Sequence, residues 1–157
     1  MALETPARAS RNVEPRITYG EEMINREEAL DLLQEYKPEP HMLQHALSSE
    51  AVMRALALHY GEDEELWGLS GLLHDIDYPL TKEIPAEHGV KAMELLTGKL
   101  PGEALHAIQS HNSEYTGVEP VERIDFALRC AETLTGLVSA AALMRPTGME
   151  GMQVQSL

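Results

Sequence analysis

Three observations on this 157-residue chain predict an all-α fold. Apolar residues recur at helical spacing along most of its length, and no alternating strand pattern with a hairpin turn occurs. With only one Phe, one Trp and five Tyr, packing must come from Leu, Ala, Met, Ile and Val. The length suits a single hydrophobic core, and the expected architecture is a bundle of about six helices joined by short turns.

Residues 1–24 contain Pro6, Pro15 and scattered charges without a period, and are expected to form a flexible arm. Asn25 followed by Glu28 has the form of a capping box, and Ala29, Leu30, Leu32 and Leu33 give the first helix an apolar stripe that Pro38 and Pro40 end. A second helix spans 41–60, with Met42, Ala46, Met53, Leu56 and Ala57 on one face and Gly61 as its stop. Asp63 is placed to cap a third helix through Leu66, Leu69, Leu73 and Ile76, where Gly68 and Gly71 allow a neighbour to approach closely. Pro79 and Pro85 bracket a loop, 86–97 reads as a fourth helix ended by Gly98, and Pro101 opens a fifth that reaches about His111. After a polar connection over 112–119, Pro120 opens the longest helix. Its Ile124, Leu128, Ala131, Leu134 and Leu137 keep one apolar face until Arg145-Pro146 breaks it. The ordered domain is therefore expected over 25–146, followed by a tail at 147–157.

Lys and Arg number 12 against 26 Asp and Glu, a formal charge of −14. That balance excludes nucleic-acid binding through a basic face and opposes contact with an anionic membrane. If the protein handles phosphate compounds, a bound divalent cation is the natural source of attraction. Cys130, as the one cysteine, can form neither an intrachain disulfide nor a thiolate cluster, and is expected to pack in the core. No window reads as a membrane span of about 18 apolar residues and the start lacks an apolar signal segment, so a cytoplasmic protein is expected. Nothing in the sequence fixes its oligomeric state.

The chemistry is concentrated in histidine. His41, His45, His59, His74, His88, His106 and His111 are accompanied by no GxSxG nucleophile and no Gly-rich phosphate loop, which turns attention to metal. Imidazole and carboxylate together suit Zn, Fe, Mn, Ni or Co, and helical proteins draw such ligands from several facing helices. His74-Asp75 sits at the end of an apolar helix just before a Pro-containing loop. Its two side chains, about 100° apart, can approach one ion from beside the last turn.

Five segments in order, His45-Ala-Leu-Ser-Ser-Glu-Ala-Val-Met-Arg54, Trp67-Gly-Leu-Ser-Gly-Leu-Leu-His74-Asp75-Ile-Asp77-Tyr78, Glu87-His88-Gly89, Ala107-Ile-Gln-Ser-His111-Asn112 and Ala131-Glu132-Thr-Leu-Thr135-Gly136, resemble the HD superfamily of metal-dependent phosphohydrolases. The likeness is to its small single-domain members with an HDIG-like motif and runs from about residue 25 to 145. It implies that His45, His74, Asp75 and a carboxylate on the last helix bind one divalent transition metal ion. His88 and His111 then stand where other members hold a second metal or face the substrate, giving one or two ions per chain. It also implies that Asp75 helps orient or deprotonate the attacking water and that Lys82 contacts phosphate. The implied substrate is a small phosphate ester or nucleotide; the other reading is a weak or inactive module of the same fold that binds a metal, nucleotide or protein.

This chain departs from the family pattern in three ways. Glu132 stands where Asp is usual and is one methylene longer, with Asp125 seven residues earlier on nearly the same face as a substitute. Asp77 replaces a common Gly and is expected to orient a ligand histidine. The family's chains also commonly continue beyond the point where this one stops.

His41, His59 and His106 are read as packed or surface residues. Arg54, nine residues from His45 and so about 180° around the helix, is read as structural, as are Trp67 and the methionines. The acidic residues Glu62, Asp63, Glu64 and Glu65 are expected to form a solvated first turn favoured by the helix dipole.

Overall fold

Capping residues and glycines set several of the element boundaries in the computed structural model, which describes residues 23–156. In chain order the helices are α1 (Arg26–Glu35), α2 (Pro40–Tyr60), α3 (Glu64–Leu73), α4 (Tyr78–Thr81), α5 (Val90–Leu96), α6 (Gly102–Ser110), α7 (Ser113–Thr116) and α8 (Arg123–Leu143), with 3-10 turns at Pro85–Glu87 and Val154–Ser156. No β-strand occurs among the described residues, where a single isolated bridge joins Thr97 and Leu100. The fold is all-α as the periodicity predicts. The six longer helices correspond to the expected ones, and the short α4 and α7 lie inside segments read as connections.

Local chemistry explains where the helices begin. Asn25 Oδ1 accepts the Glu28 N–H at 3.0 Å while Glu28 Oε2 accepts the Asn25 N–H at 2.8 Å, which closes the predicted capping box. Asp63 Oδ1 accepts the Leu66 N–H at 3.0 Å and starts α3.

From Leu66 to Leu73 every residue of α3 is buried, so it has no solvent face and forms the centre of the bundle. It packs chiefly on α2 and also meets α1, α6 and α8, while α8 crosses α2 and α6. Gly71 permits the α2–α3 approach: a Cβ there would lie 2.8 Å from the Ser49 carbonyl oxygen and 2.9 Å from Met53 Cγ. A buried carboxylate ties three helices together, since Glu50 on α2 accepts from Arg26 Nε at 2.6 Å and Arg54 Nε at 2.9 Å, and Arg54 reaches Glu65 Oε2 on α3 at 2.7 Å. Arg54 is structural, as its position around α2 implies.

Several expectations are corrected. Met23 and Ile24, assigned to the arm, pack against the core, and the Ile24 N–H donates to Lys99 O at 3.0 Å; the rest of the arm lies outside the described residues. The fourth helix does not run unbroken over 86–97. Gly89 adopts a φ of +84°, a value suited to glycine, and separates the 3-10 turn from α5. Cys130 is exposed rather than in the core, because it lies on the outer face of α8 beside the exposed Phe126, Leu134 and Leu137. The acidic first turn of α3 is not simply solvated, since Glu64 and Glu65 pair with Arg54 and Glu62 pairs with Arg123.

The membrane-span reading also changes: among the described residues α8 is long and apolar enough to cross a membrane by length and composition. The alanines and leucines that give it that character serve two different surroundings. Ile124, Ala127, Leu128 and Ala131 are buried against the bundle, whereas from Gly136 onward no residue is buried.

Two glycine substitutions separate close packing from helix propensity. Gly71→Ala should lower the free energy of unfolding in urea by about 1–3 kcal/mol through overpacking. Gly136→Ala, where a Cβ meets nothing within 4 Å, should raise it by about 0.5–1 kcal/mol. A neutral Gly71→Ala would contradict the packing assigned to α2 and α3.

Candidate metal centre

Two helix ends and two neighbouring segments bring four imidazoles around one carboxylate. His74 and His111 are the C-terminal caps of α3 and α6, His45 lies on α2, and His88 follows the 3-10 turn. Asp75 stands at the centre. Its Oδ2 lies 3.3 Å from His74 Nε2 and 3.6 Å from His45 Nε2, and its Oδ1 lies 3.2 Å from His88 Nε2 and 3.5 Å from His111 Nε2. The ring nitrogens also face each other in pairs, His74 Nε2 to His45 Nε2 at 3.2 Å and His111 Nε2 to His88 Nε2 at 3.1 Å.

Every Nε2 turns inward because every Nδ1 is held from outside. His74 Nδ1 donates to Gly71 O at 2.8 Å and His111 Nδ1 donates to Ile108 O, each within the last turn of its own helix. His88 Nδ1 donates to Asp77 Oδ1 at 2.9 Å. Asp77 is fully buried, and its other oxygen accepts the N–H groups of Gly89 at 2.8 Å and Ala92 at 3.0 Å. These bonds draw the chain after the 3-10 turn back onto Asp77, which is why a helix breaks there. His45 Nδ1 lies 3.1 Å from Thr135 Oγ1 on α8. The Thr135 hydroxyl donates to Ala131 O at 2.9 Å, so the ring N–H is the donor to Thr135, and Ser49 Oγ completes the group at 3.1 Å.

This arrangement fits divalent cations. Ligand atoms about 2.1 Å from an ion are about 3.0 Å apart along an octahedral edge and about 3.4 Å apart in a tetrahedron. The inward atoms of His74 and His88 fall in that range, and those of His45 and His111 lie 3.6 and 3.5 Å from Asp75, just beyond it. They form two triads that share Asp75: His45, His74 and Asp75, and Asp75, His88 and His111. An outward N–H bonded to a carbonyl, hydroxyl or carboxylate is what metal-bound histidines require, since it fixes the tautomer that leaves Nε2 free. The carbonyl ends of α3 and α6 add a field that favours positive charge.

The proton affinities tell the same story. Burial would push the Asp75 carboxyl up, but His74 and hydrogen bonds from His111, His74 and His88 hold it well below the usual carboxylate range. Burial would lower His88, yet its bonds to Asp75 and Asp77 raise it to about 10. For His74 the pull of Asp75 overcomes burial and raises the ring, whereas burial and the neighbouring His74 lower His45. His88 is thus charged at neutral pH, and His74 and His45 are shifted in opposite directions. Protonated His88 supplies positive charge that the shared carboxylate attracts, and the same carboxylate favours the charged form of His74.

The five residues His45, His74, Asp75, His88 and His111 are brought together as the sequence suggests. Glu132 lies outside the two triads. Its Oε2 is 3.4 Å from Thr133 Oγ1, and its charge raises the proton affinity of His45 and His74. Lys82 Nζ lies 3.4 Å from Glu39 Oε1, and Lys82 lines a small cavity beside His88. Asp125 is not placed as a substitute ligand: its Oδ2 accepts the Val121 and Glu122 N–H groups at 2.9 Å each and faces His106 Nδ1 at 2.9 Å. His41 and His59 remain at the surface. Thr135 and Ser49 escape a search for ligand residue types, although Thr135 lies three residues after Glu132 and Ser49 four after His45, both on shared helix faces.

The family model for the HD domain matches residues 42–141, which includes all five converging residues and Glu132. No solved structure matches the chain at a significant level.

Two measurements follow from these contacts. Thr135→Val should weaken Mn or Zn binding about 10–100-fold in a competition titration while Thr135→Ser stays near the parent, because only the hydroxyl orients His45. Metal uptake should release protons near neutral pH, since His88 must lose its proton to bind, and apparent affinity should rise between pH 7 and 10. The metal-free protein should show the opposite trend. A raised His88 contributes stability in full below about pH 6.5 and loses it as pH climbs through about 10. Affinity independent of pH across that interval would contradict the assignment of the charged ring.

Proposed function

The chain belongs to the HD domain family, and on that premise we propose that it is a metal-dependent phosphohydrolase, cleaving a small phosphate ester or nucleotide with water. The observation that carries this reading is the convergence of four imidazole Nε2 atoms on the two oxygens of Asp75. His45, His74 and Asp75 would hold one ion with Glu132 as a further ligand, and His88 and His111 a second ion or the phosphate. The mix of imidazole and carboxylate suits Fe, Mn, Zn, Ni or Co.

When bound, such an ion lowers the pKa of water from about 15.7 toward 7 and neutralises charge on phosphoryl oxygens. The chain supplies the rest. Asp75, with one oxygen toward each triad, is placed to orient the attacking water and accept its proton, while Thr135, Gly71, Asp77 and Ile108 keep the four rings from turning. A protonated His88 is placed to stabilise phosphoryl charge. In this acidic chain these groups take the place of a basic face. Glu132, outside the triads, is the observation that favours a weakly active or inactive binding module instead.

The test is a phosphatase screen on protein loaded with each metal in turn. Asp75→Asn should lower kcat by at least about 10²–10³-fold with the helical circular dichroism unchanged. Retained turnover would place the chemistry elsewhere, and loaded parent protein that hydrolyses no ester would favour the binding module.

A further inference from the structure

A small cavity opens against the His88 side of the centre, and its size and charge restrict what the centre can act on. It has a volume of about 110 Å³, with Tyr78, Pro85, His88, Asn112 and Tyr115 among its walls and Lys82 at its edge. That space is about four times the share of one water molecule in the liquid, against several hundred cubic ångströms for an ordinary small-molecule site. A body of a few non-hydrogen atoms fills it, and the sugar and base of a nucleoside would extend beyond its mouth.

The walls are fixed by the same contacts that build the centre. Asn112 Nδ2 donates to His88 O at 3.0 Å, and the Tyr78 ring stands edge-on to the His88 ring with centroids 6.1 Å apart. Among the described residues no carboxylate lines the cavity, in a chain with 26 Asp and Glu. Lys82 is the one ammonium among the described residues that line it. Its partner Glu39 lies 3.4 Å away, and both side chains are about half exposed, a pairing worth little and readily exchanged for another anion.

Resting on the phosphohydrolase reading, we propose that the substrate is a phosphomonoester of a short hydroxy acid, with its phosphoryl group at the His88 side of the centre, its two- or three-carbon body in the cavity beside Tyr78 and Tyr115, and its carboxylate on Lys82. Lys82 then selects the substrate rather than assisting phosphoryl transfer. A nucleotide places no carboxylate on Lys82 and leaves its sugar and base outside the cavity, and an uncharged alkyl phosphate lacks the group that Lys82 binds.

Calorimetric binding of non-hydrolysable phosphonates to the Mn-loaded full chain separates the possibilities. 3-Phosphonopropionate should bind about tenfold more tightly than propylphosphonate, which has the same length without the charge, and adenosine 5′-monophosphate should bind more weakly than either. Lys82→Gln should remove the tenfold preference and leave propylphosphonate within twofold of the parent. Equal binding of the two phosphonates, a preference that survives Lys82→Gln, tightest binding by the nucleotide, or no binding of either phosphonate would overturn the proposal. A parallel turnover assay on 2-phosphoglycolate distinguishes the two layers. Selective binding without hydrolysis refutes the phosphohydrolase reading and leaves the pocket assignment standing, whereas hydrolysis without charge selectivity does the reverse.

Discussion

The structure depends on one carboxylate shared by four imidazoles. Asp75 is 14% exposed by its side chain, in a chain whose overall charge of −14 would otherwise repel another anion. Four rings can crowd it only because each has a separate acceptor behind it. Two of those acceptors are main-chain carbonyls at helix ends, one is a hydroxyl on α8 and one is the buried carboxylate of Asp77. Loss of any one of them frees a ring to turn its lone pair away, and the convergence of the set is lost with it.

That requirement shapes the fold around it. α3 is buried on all sides, so its C-terminal end, with His74 and Asp75, is a fixed reference for the elements that meet there. Gly71 serves twice, allowing α2 to approach and offering the carbonyl that holds His74. Asp77, two residues past the central carboxylate, reorganises the next segment by drawing His88, Gly89 and Ala92 toward itself. The elevated proton affinity of His88 gives the centre an exchangeable positive charge beside Asp75, so metal uptake there would be coupled to proton release.

The helices were legible because their apolar periods, caps and stops agree, as at Asn25-Glu28, Asp63 and Gly61. The break at His88-Gly89 was not, because a helical period cannot register a pull from Asp77 eleven residues away. The histidine–aspartate set was legible from its order along the chain, and the segments quoted for the family likeness lie within or beside the matched span. Thr135 and Ser49 were hidden for a different reason: hydroxyls are common on helices, and only tertiary contact distinguishes one that orients a ring. Cys130 was misassigned because α8 has apolar residues on both faces, and its period does not say which face meets the bundle. Glu132 lies where the family pattern expects an acid, and its charge acts on His45 and His74 although it stands outside both triads.

The most direct test of the account is a crystal structure of protein soaked with Mn or Zn, with the anomalous signal collected above the metal edge. The shared-carboxylate arrangement predicts a peak within about 2.0–2.3 Å of His45 Nε2, His74 Nε2 and Asp75 Oδ2, and a second peak, where occupied, between His88, His111 and Asp75 Oδ1. Anomalous density confined to surface carboxylates, with Asp75 and its four rings unligated at saturating metal, would contradict it.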